Sequence, residues 1–311
     1  MNLKSQSGQT VKKKKRSEIL VNEERTAYAF LLPSLIGTLI FVMVPIFISL
    51  ILGFTKWNPI KGLTDIEFVG LANFQRMVSD ERVLTAIVNN IKYSIFYVPI
   101  TIGLALLLAE LLNKLVFGKI PLRTMIFMPY ISSLASIAVV WMLLFYPSAS
   151  GPINSILVNV FKIADPPKWF TSSKYAMTGI IAMSVWHDMG YYVVIILANM
   201  QGLSQEVYES AAMDGANKVQ TFLKITIPML KNTLFFCLTL ATINSFKVFD
   251  QVNIITEGGP RFATTVLVQA IYHYAFKEFN FSYASAIAVV LFIMVFTVTY
   301  LQRRLEKKLS V

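Results

Sequence analysis

The sequence predicts an all-α polytopic membrane protein of about six transmembrane helices. Three observations lead there. The 311-residue chain is 55% hydrophobic and only 14% charged, whereas a soluble domain carries about 25% charged residues. Its apolar residues gather in runs of roughly 20 or more, the length a helix needs to cross the hydrocarbon core. Its Lys and Arg fall mostly on one side of those runs.

The expected spans are about 27–54, 85–112, 122–146, 176–200, 230–255 and 283–301. Residues 27–302 then form one transmembrane domain, flanked by a basic tail over 1–26 and a short tail over 303–311. The second span is the least uniform, because Lys92 and Glu110 fall near its ends. Side chains of that length reach the interface from there. Between the spans lie turn-forming segments: Trp57-Asn58-Pro59, residues 147–152, Pro166-Pro167 and Gly258-Gly259-Pro260. None has the length of a separate soluble domain.

Orientation follows from charge. The N-terminal tail, the second and fourth connections and the C-terminal tail hold 17 of the 28 Lys and Arg; the remaining connections hold nine, and Lys92 and Lys247 lie within spans. The two sides carry equal numbers of acidic residues. The positive-inside rule therefore places both termini in the cytoplasm, as an even number of spans also requires.

Several function classes are disfavoured. The net charge of +11 suggests nucleic acid, but the run Lys12 to Arg16 is short, lacks interleaved aromatics and precedes an apolar span. It reads as a cytoplasmic flank that also feels anionic lipid. The apolar stretch behind it is about twice a signal-peptide core, and no small-x-small cleavage site follows. The single cysteine, Cys237, reads as a small buried apolar residue. His187 and His273 have no Cys/His cluster around them, so no metal site is expected. No Gly-x-x-x-x-Gly-Lys-Ser/Thr loop is present to cradle phosphates, so this chain is expected to hold no nucleotide or other cofactor and not to hydrolyse ATP.

The fourth connection is not an ordinary loop. Residues 205–213 are good helix formers, with Ala211 and Ala212 small enough for close approach to a partner surface. Asp214-Gly215 is a stop-and-turn signal. Residues 217–227 place Val219, Phe222, Leu223 and Ile227 near helical spacing, and Pro228 is expected to end this second segment. The region 205–228 is thus a short helix, a sharp turn and a second helix lying flat on the inner face of the membrane.

This hairpin resembles the permease subunits of binding-protein-dependent ABC importers. Their pattern, Glu-Ala-Ala, three residues, Gly, nine residues, Ile-x-Leu-Pro, is met by Glu209, Ala211, Gly215, Ile225 and Pro228, with departures at Ser210 and Ile227. Phe249-Asp250-Gln251, Thr256 to Pro260, Gly70 to Phe74 and Tyr283 to Ala286 resemble the carbohydrate branch of the maltose and multiple-sugar type. The resemblance implies the type I importer core of five helices plus an N-terminal helix. It implies a second permease subunit, two ATP-binding subunits and an extracytoplasmic sugar-binding protein. It makes Glu209, Ser210, Ala211, Ala212, Asp214, Gly215 and Pro228 the coupling segment to the ATPase.

Two polar stripes remain. Ser184, His187, Asp188 and Tyr191 recur at helical spacing in the fourth span; Asn244, Lys247, Asp250 and Gln251 do so in the fifth. Ionisable residues at membrane depth are costly and face a cavity or a partner. Two readings stand. Lys247 and Asp250, spaced i, i+3, neutralise each other; or the stripes line the translocation pathway, with Tyr191, Tyr192, Phe246 or Phe249 stacking on a pyranose face. An ion-coupled secondary transporter would account for the spans and buried charges but not for the pattern from Glu209 to Pro228. An intramembrane enzyme would rest on His187-Asp188 alone, and the paired Asn-Pro-Ala half-helices of an aquaporin-type channel are missing.

Overall fold

The computed structural model describes residues 18–57, 62, 65–114 and 118–309. The Lys12 to Arg16 run lies outside the described residues. The chain divides into two units at Ile51.

The described part of the first unit is a long helix in three parts, whose last residue lies just past the division: α1 (Glu18–Thr38), a π-helical turn (Leu39–Met43) and α2 (Val44–Leu52). Pro45 offers no N–H to the carbonyl of Phe41, which accounts for the looser turn there. The candidate span Glu23–Leu52 has a mean hydropathy of 2.8. Its large side chains, Phe30, Leu35, Phe41 and Phe47 among them, are exposed on all sides. Such an all-round apolar helix is suited to lipid rather than to a half-wet surface.

The second unit opens with an antiparallel hairpin, β1 (Thr55–Trp57) and β2 (Ile66–Phe68), with Lys56 opposite Glu67. Then follow α3 (Ala72–Met77), α4 (Glu81–Lys114), α5 (Lys119–Ile131), α6 (Leu134–Leu144) and α7 (Pro152–Asn159). After a 3₁₀ turn come α8 (Ala176–Met200), α9 (Gln205–Met213), α10 (Lys218–Thr221), α11 (Ile227–Met229) and α12 (Lys231–Phe246). The chain ends with α13 (Asp250–Ile255), α14 (Leu267–Tyr272) and α15 (Phe281–Leu309).

The main core lies where α4, α8 and α12 meet. Tyr93, Tyr97, Ala105 and Ala109 of α4 pack with Ile180, Tyr192, Val193 and Ile196 of α8 and with Cys237 and Ala241 of α12. Lipid offers no hydrophobic drive between helices, so small residues that let backbones approach do much of the association. Gly190 is the sharpest case: a Cβ there would lie 2.1 Å from the carbonyl oxygen of Ile126, on α5. A second core joins Val83 and Ala86 of α4 to Leu267, Ala270, Tyr274, Tyr283 and Ile287. Cys237 is buried, as a small apolar residue should be.

Among the described residues five helices are long and apolar enough to cross a membrane, and a bent pair makes a sixth candidate. That pair corrects the third expected span. Instead of one helix over 122–146, α5 and α6 meet at 98°. Pro129 precedes the bend, and the Ser132 hydroxyl donates back to the carbonyl of Met128 at 2.8 Å. Pro and paired serines are common causes of such breaks. The fifth span is interrupted too: α12 stops at Phe246 and α13 starts at Asp250. At the C-terminus, helix α15 runs past the expected boundary at 302 to Leu309. Glu110 pairs with Lys114 one turn on.

Candidate functional site

Two places hold the candidate residues: the hairpin at one end of the bundle and the polar groups midway along α8 and at the junction of α12 with α13.

The hairpin forms as a helix, a reversal and a second helical arm. Ser204 precedes α9, with Glu206 in the first turn, where a carboxylate meets the positive end of the helix dipole. The reversal closes the helix with three backbone bonds: Asp214 N–H to the Ser210 carbonyl, Gly215 N–H to Ala212, and Ala216 N–H to Ala211. Gly215 sits at φ +78° with open space around it. This is the left-handed helix ending for which glycine carries no Cβ penalty. Asn217 and Gln220 then form a reciprocal capping box, with both bonds at 2.9 Å.

The second arm departs from expectation. It continues as a π-helical turn (Phe222–Thr226) and then α11, so Pro228 lies inside a short helix. The break falls at Leu230 instead. On α9, Glu209, Ser210 and Ala212 are exposed, and Glu209 accepts from Gln205 at 2.8 Å. Ala211 is 6% exposed, so its methyl faces this chain rather than a partner. Its small size serves the internal packing of the hairpin. Met213, which no sequence pattern singles out, is 88% exposed. A large apolar side chain standing out of a polar turn is its structural signature.

Within the membrane, Asp188 is the centre of a chain of polar groups. The Tyr97 hydroxyl donates to Asp188 Oδ2 at 2.6 Å, and His187 Nδ1 lies 2.6 Å from Asp188 Oδ1. Each bond lowers the cost of a carboxylate at that depth. The Tyr130 ring lies 5.9 Å from His187 and stacks on Tyr191 at 4.8 Å. The structure therefore gathers His187, Asp188 and Tyr191 and adds Tyr97 and Tyr130. Ser184 is fully buried and donates to the Ile180 carbonyl of its own helix. It offers this chain no lining surface, which corrects its place in the stripe. Helical spacing alone set it beside Asp188, and a helix face is wide enough for one neighbour to be buried and the other open.

The second stripe is not a stripe on one helix. Lys247 closes α12 at φ −93°, and Phe249 and Asp250 open α13. Asn244, Lys247 and Asp250 are exposed, while Gln251 is buried. Among the described residues no ion pair joins Lys247 to Asp250, so the i, i+3 neutralisation expected of a continuous helix is absent. Unwound backbone at membrane depth belongs where it lines a cavity or is covered by protein. Asn244 reaches the Tyr192 hydroxyl at 3.4 Å, and the Phe249 ring packs 5.3 Å from Tyr272.

The far end of the bundle explains the other motif segments. Asn73 donates to the carbonyls of Gly53 and Thr55 at 2.9 and 2.8 Å. Asn89 donates to the carbonyls of Phe262 and Thr265, and fully buried Asn90 accepts from Leu267 N–H at 2.7 Å. Gly258, at φ +86°, lets the loop close on Thr265, whose Oγ1 would lie 2.5 Å from a Cβ. Asp80 accepts from the hydroxyls of Tyr274 and Tyr283 at 2.6 and 2.8 Å. Burial pushes its carboxyl up, but these hydroxyls and the N–H groups of Val83 and Arg82 outweigh it and hold it below the ordinary aspartate value.

The sequence profile of the binding-protein-dependent transport system inner membrane components matches residues 29–311. The chain belongs to that family. This permease is 32% identical over 292 residues to the lactose transport system permease protein of Rhizobium radiobacter, covering 92% of this chain and 96% of the relative. It is 32% identical over 282 residues to the sn-glycerol-3-phosphate transport system permease protein of Agrobacterium fabrum, covering 90% and 94%. Its fold matches a crystal structure of a bacterial ABC transporter that imports the acidic polysaccharide alginate. The TM-score there is 0.79 at 22% identity, covering 94% of this chain and 99% of the other. The permease is thus a multi-pass membrane subunit of an ABC importer, with the fold of its type I permeases.

Proposed function

We propose that the permease carries a sugar or oligosaccharide, as one of two different membrane subunits, driven by two separate ATP-binding subunits and fed by an extracytoplasmic binding protein. The observation that carries the reading is the hairpin: an exposed two-turn helix, closed by Gly215, on a helical arm leading into α12. An ion-coupled transporter needs no such surface. Glu209, Ser210, Ala212, Asp214 and Gly215 present the contact to the ATP-binding subunit, and Pro228 carries it toward the membrane. The charge asymmetry of the tails and connections puts both termini on the cytoplasmic side, the side of this hairpin.

The carbohydrate reading draws on relatives named for lactose and for glycerol phosphate transport, both polyhydroxylated cargoes. His187, Asp188, Tyr191, Asn244, Lys247, Phe249 and Asp250 supply donors, acceptors and ring faces for such a cargo. The pathway they line closes against the second permease.

The deciding experiment is affinity purification of the tagged full chain from its native membrane, with a screen of sugars for stimulation of the ATPase activity that comes with it. Co-purifying ATP-binding and permease subunits, and stimulation by a sugar plus the binding protein, are expected. Uptake that follows an ion gradient with no ATPase bound would overturn the proposal.

A further inference from the structure

We infer that the hydrogen bond between Tyr208 and Thr226 is the brace that makes the coupling hairpin move as one piece, so that Tyr208 and Thr226 are positioning residues for energy transfer. The inference rests on the reading of α9 as the ATPase contact and adds residues that reading does not contain.

The geometry is that of a lever. A helix fastened at one end pivots; fastened at two points, it transmits displacement. The reversal at Gly215 is the first fastening, and its three backbone bonds hold only the last turn of α9. The second lies a turn earlier. The Tyr208 hydroxyl is 3.2 Å from Thr226 Oγ1, across 18 residues of chain. Among the described residues it is the one side-chain hydrogen bond between α9 and the returning arm. Thr226 is 1% exposed, so its hydroxyl has little water to exchange for Tyr208. It closes the π-helical turn and its carbonyl accepts from Leu230 N–H at 3.0 Å, just before α12 begins. Leu230 is 1% exposed and sits in the main core with Met200 and Leu112, against which Leu203 also packs. Both roots of the hairpin are therefore set in the bundle. A push on the exposed face of α9 passes through Tyr208 to Thr226 and on to α12, whose far end carries Lys247.

The test uses the assembled transporter in lipid nanodiscs, with Cys237→Ser as background. Spin labels at Glu206→Cys and Asn232→Cys report the distance between α9 and the start of α12. The parent should give one narrow distance distribution, with and without ATP. Tyr208→Phe and Thr226→Val remove one hydroxyl each and should broaden it. Each should also lower uptake per ATP hydrolysed by about three- to tenfold, the population change expected from losing one such bond. Uptake is read with the sugar found in the screen above. Thr226→Ser keeps the hydroxyl and should behave as the parent, and the double variant should be no worse than either single one. A narrow distribution and parental uptake per ATP in Tyr208→Phe would overturn the brace. Gly215→Val in the same assay separates the two claims. If it uncouples transport while Tyr208→Phe does not, the brace falls and the coupling reading stands; if neither does, the coupling reading falls.

Discussion

The two ends of the bundle are built differently. At the end formed by the starts of α4 and α15, side chains far apart in sequence are tied together. Asp80 binds Tyr274 and Tyr283, Asn89 binds Phe262 and Thr265, and Asn90 binds Leu267 across 177 residues. At the other end the hairpin is rooted in the bundle at Leu203 and Leu230, but between those roots it is held by its own turn and one side-chain bond. Buried polar groups tied over long distances resist local opening, while a segment with exposed backbone and few buried contacts opens cheaply. The comparison assigns the first end to the frame and the second to the moving part. Damage to the frame should appear as lost stability; damage to the hairpin should appear as lost coupling in a stable protein.

The largest stability effect is expected from Asn90→Leu. It orphans the buried Leu267 N–H and removes the contacts to the Ser245 and Phe246 carbonyls. The cost should be about 2–3 kcal/mol. Thermal unfolding in detergent would show a clear drop in Tm. An unchanged Tm would mean that the Asn90 bonds are not part of the frame.

Asp80→Asn should follow, at about 1–2 kcal/mol at neutral pH, since it weakens two hydrogen bonds to a charged acceptor. The sign of its pH dependence is fixed. The folded carboxyl titrates below the ordinary aspartate value. Its contribution is therefore complete above about pH 4 and is lost as pH falls through the lowered folded value. The Tm gap between parent and variant should be widest near neutrality and should close in acid. A gap that grows in acid would reverse the assignment.

The same contrast explains which features are legible in the sequence. The hairpin is local: helix formers, Asp214-Gly215 and Pro228 lie within one stretch, so its shape and its left-handed glycine can be read from contiguous residues. The spans are legible too, because apolar run length is a property of contiguous residues. The break at Pro129 to Ser133 is written in the chain but hidden by composition, since both halves are apolar and sum to one span. The break at Lys247 leaves no Pro or Gly signal, and periodicity carries the stripe straight across it. Tyr97 beside Asp188, Tyr130 against His187, and the Asp80 cluster require knowledge of which helix faces which. Burial decides the remaining errors. Ser184 and Ala211 sit on the side of their helices that turns inward, and a short stripe does not say which edge of a face is covered.

Gly215→Val should act at the other end. A β-branched residue at φ +78° carries a backbone penalty of about 1–2 kcal/mol, but the strain falls on an exposed turn whose opening leaves the bundle intact. The global Tm should shift less than for Asn90→Leu. ATP hydrolysis should become independent of the binding protein, or the ATPase should be lost from the complex. A large Tm loss with normal coupling would place the hairpin in the frame.

The smallest stability effect and the sharpest separation should come from Met213→Ser. Met213 is 88% exposed on α9, so the folded subunit alone has little to lose, and surface changes of this kind stay within about 0.5 kcal/mol. An apolar side chain held in water at the end of a helix gains only when a partner covers it. Burying it would contribute roughly 1.5–3 kcal/mol to association, with part of that offset by the ordering of a flexible side chain. The ATP-binding subunit should therefore dissociate about tenfold more readily from the Met213→Ser permease, as measured by co-purification against salt and dilution. The isolated variant should unfold at the parental temperature. Met213→Leu, which keeps the apolar volume, should restore the complex. If Met213→Ser binds the ATPase as the parent does, the exposed methionine lies outside the contact. The contact would then rest on the other exposed residues of α9, Glu209, Ser210 and Ala212.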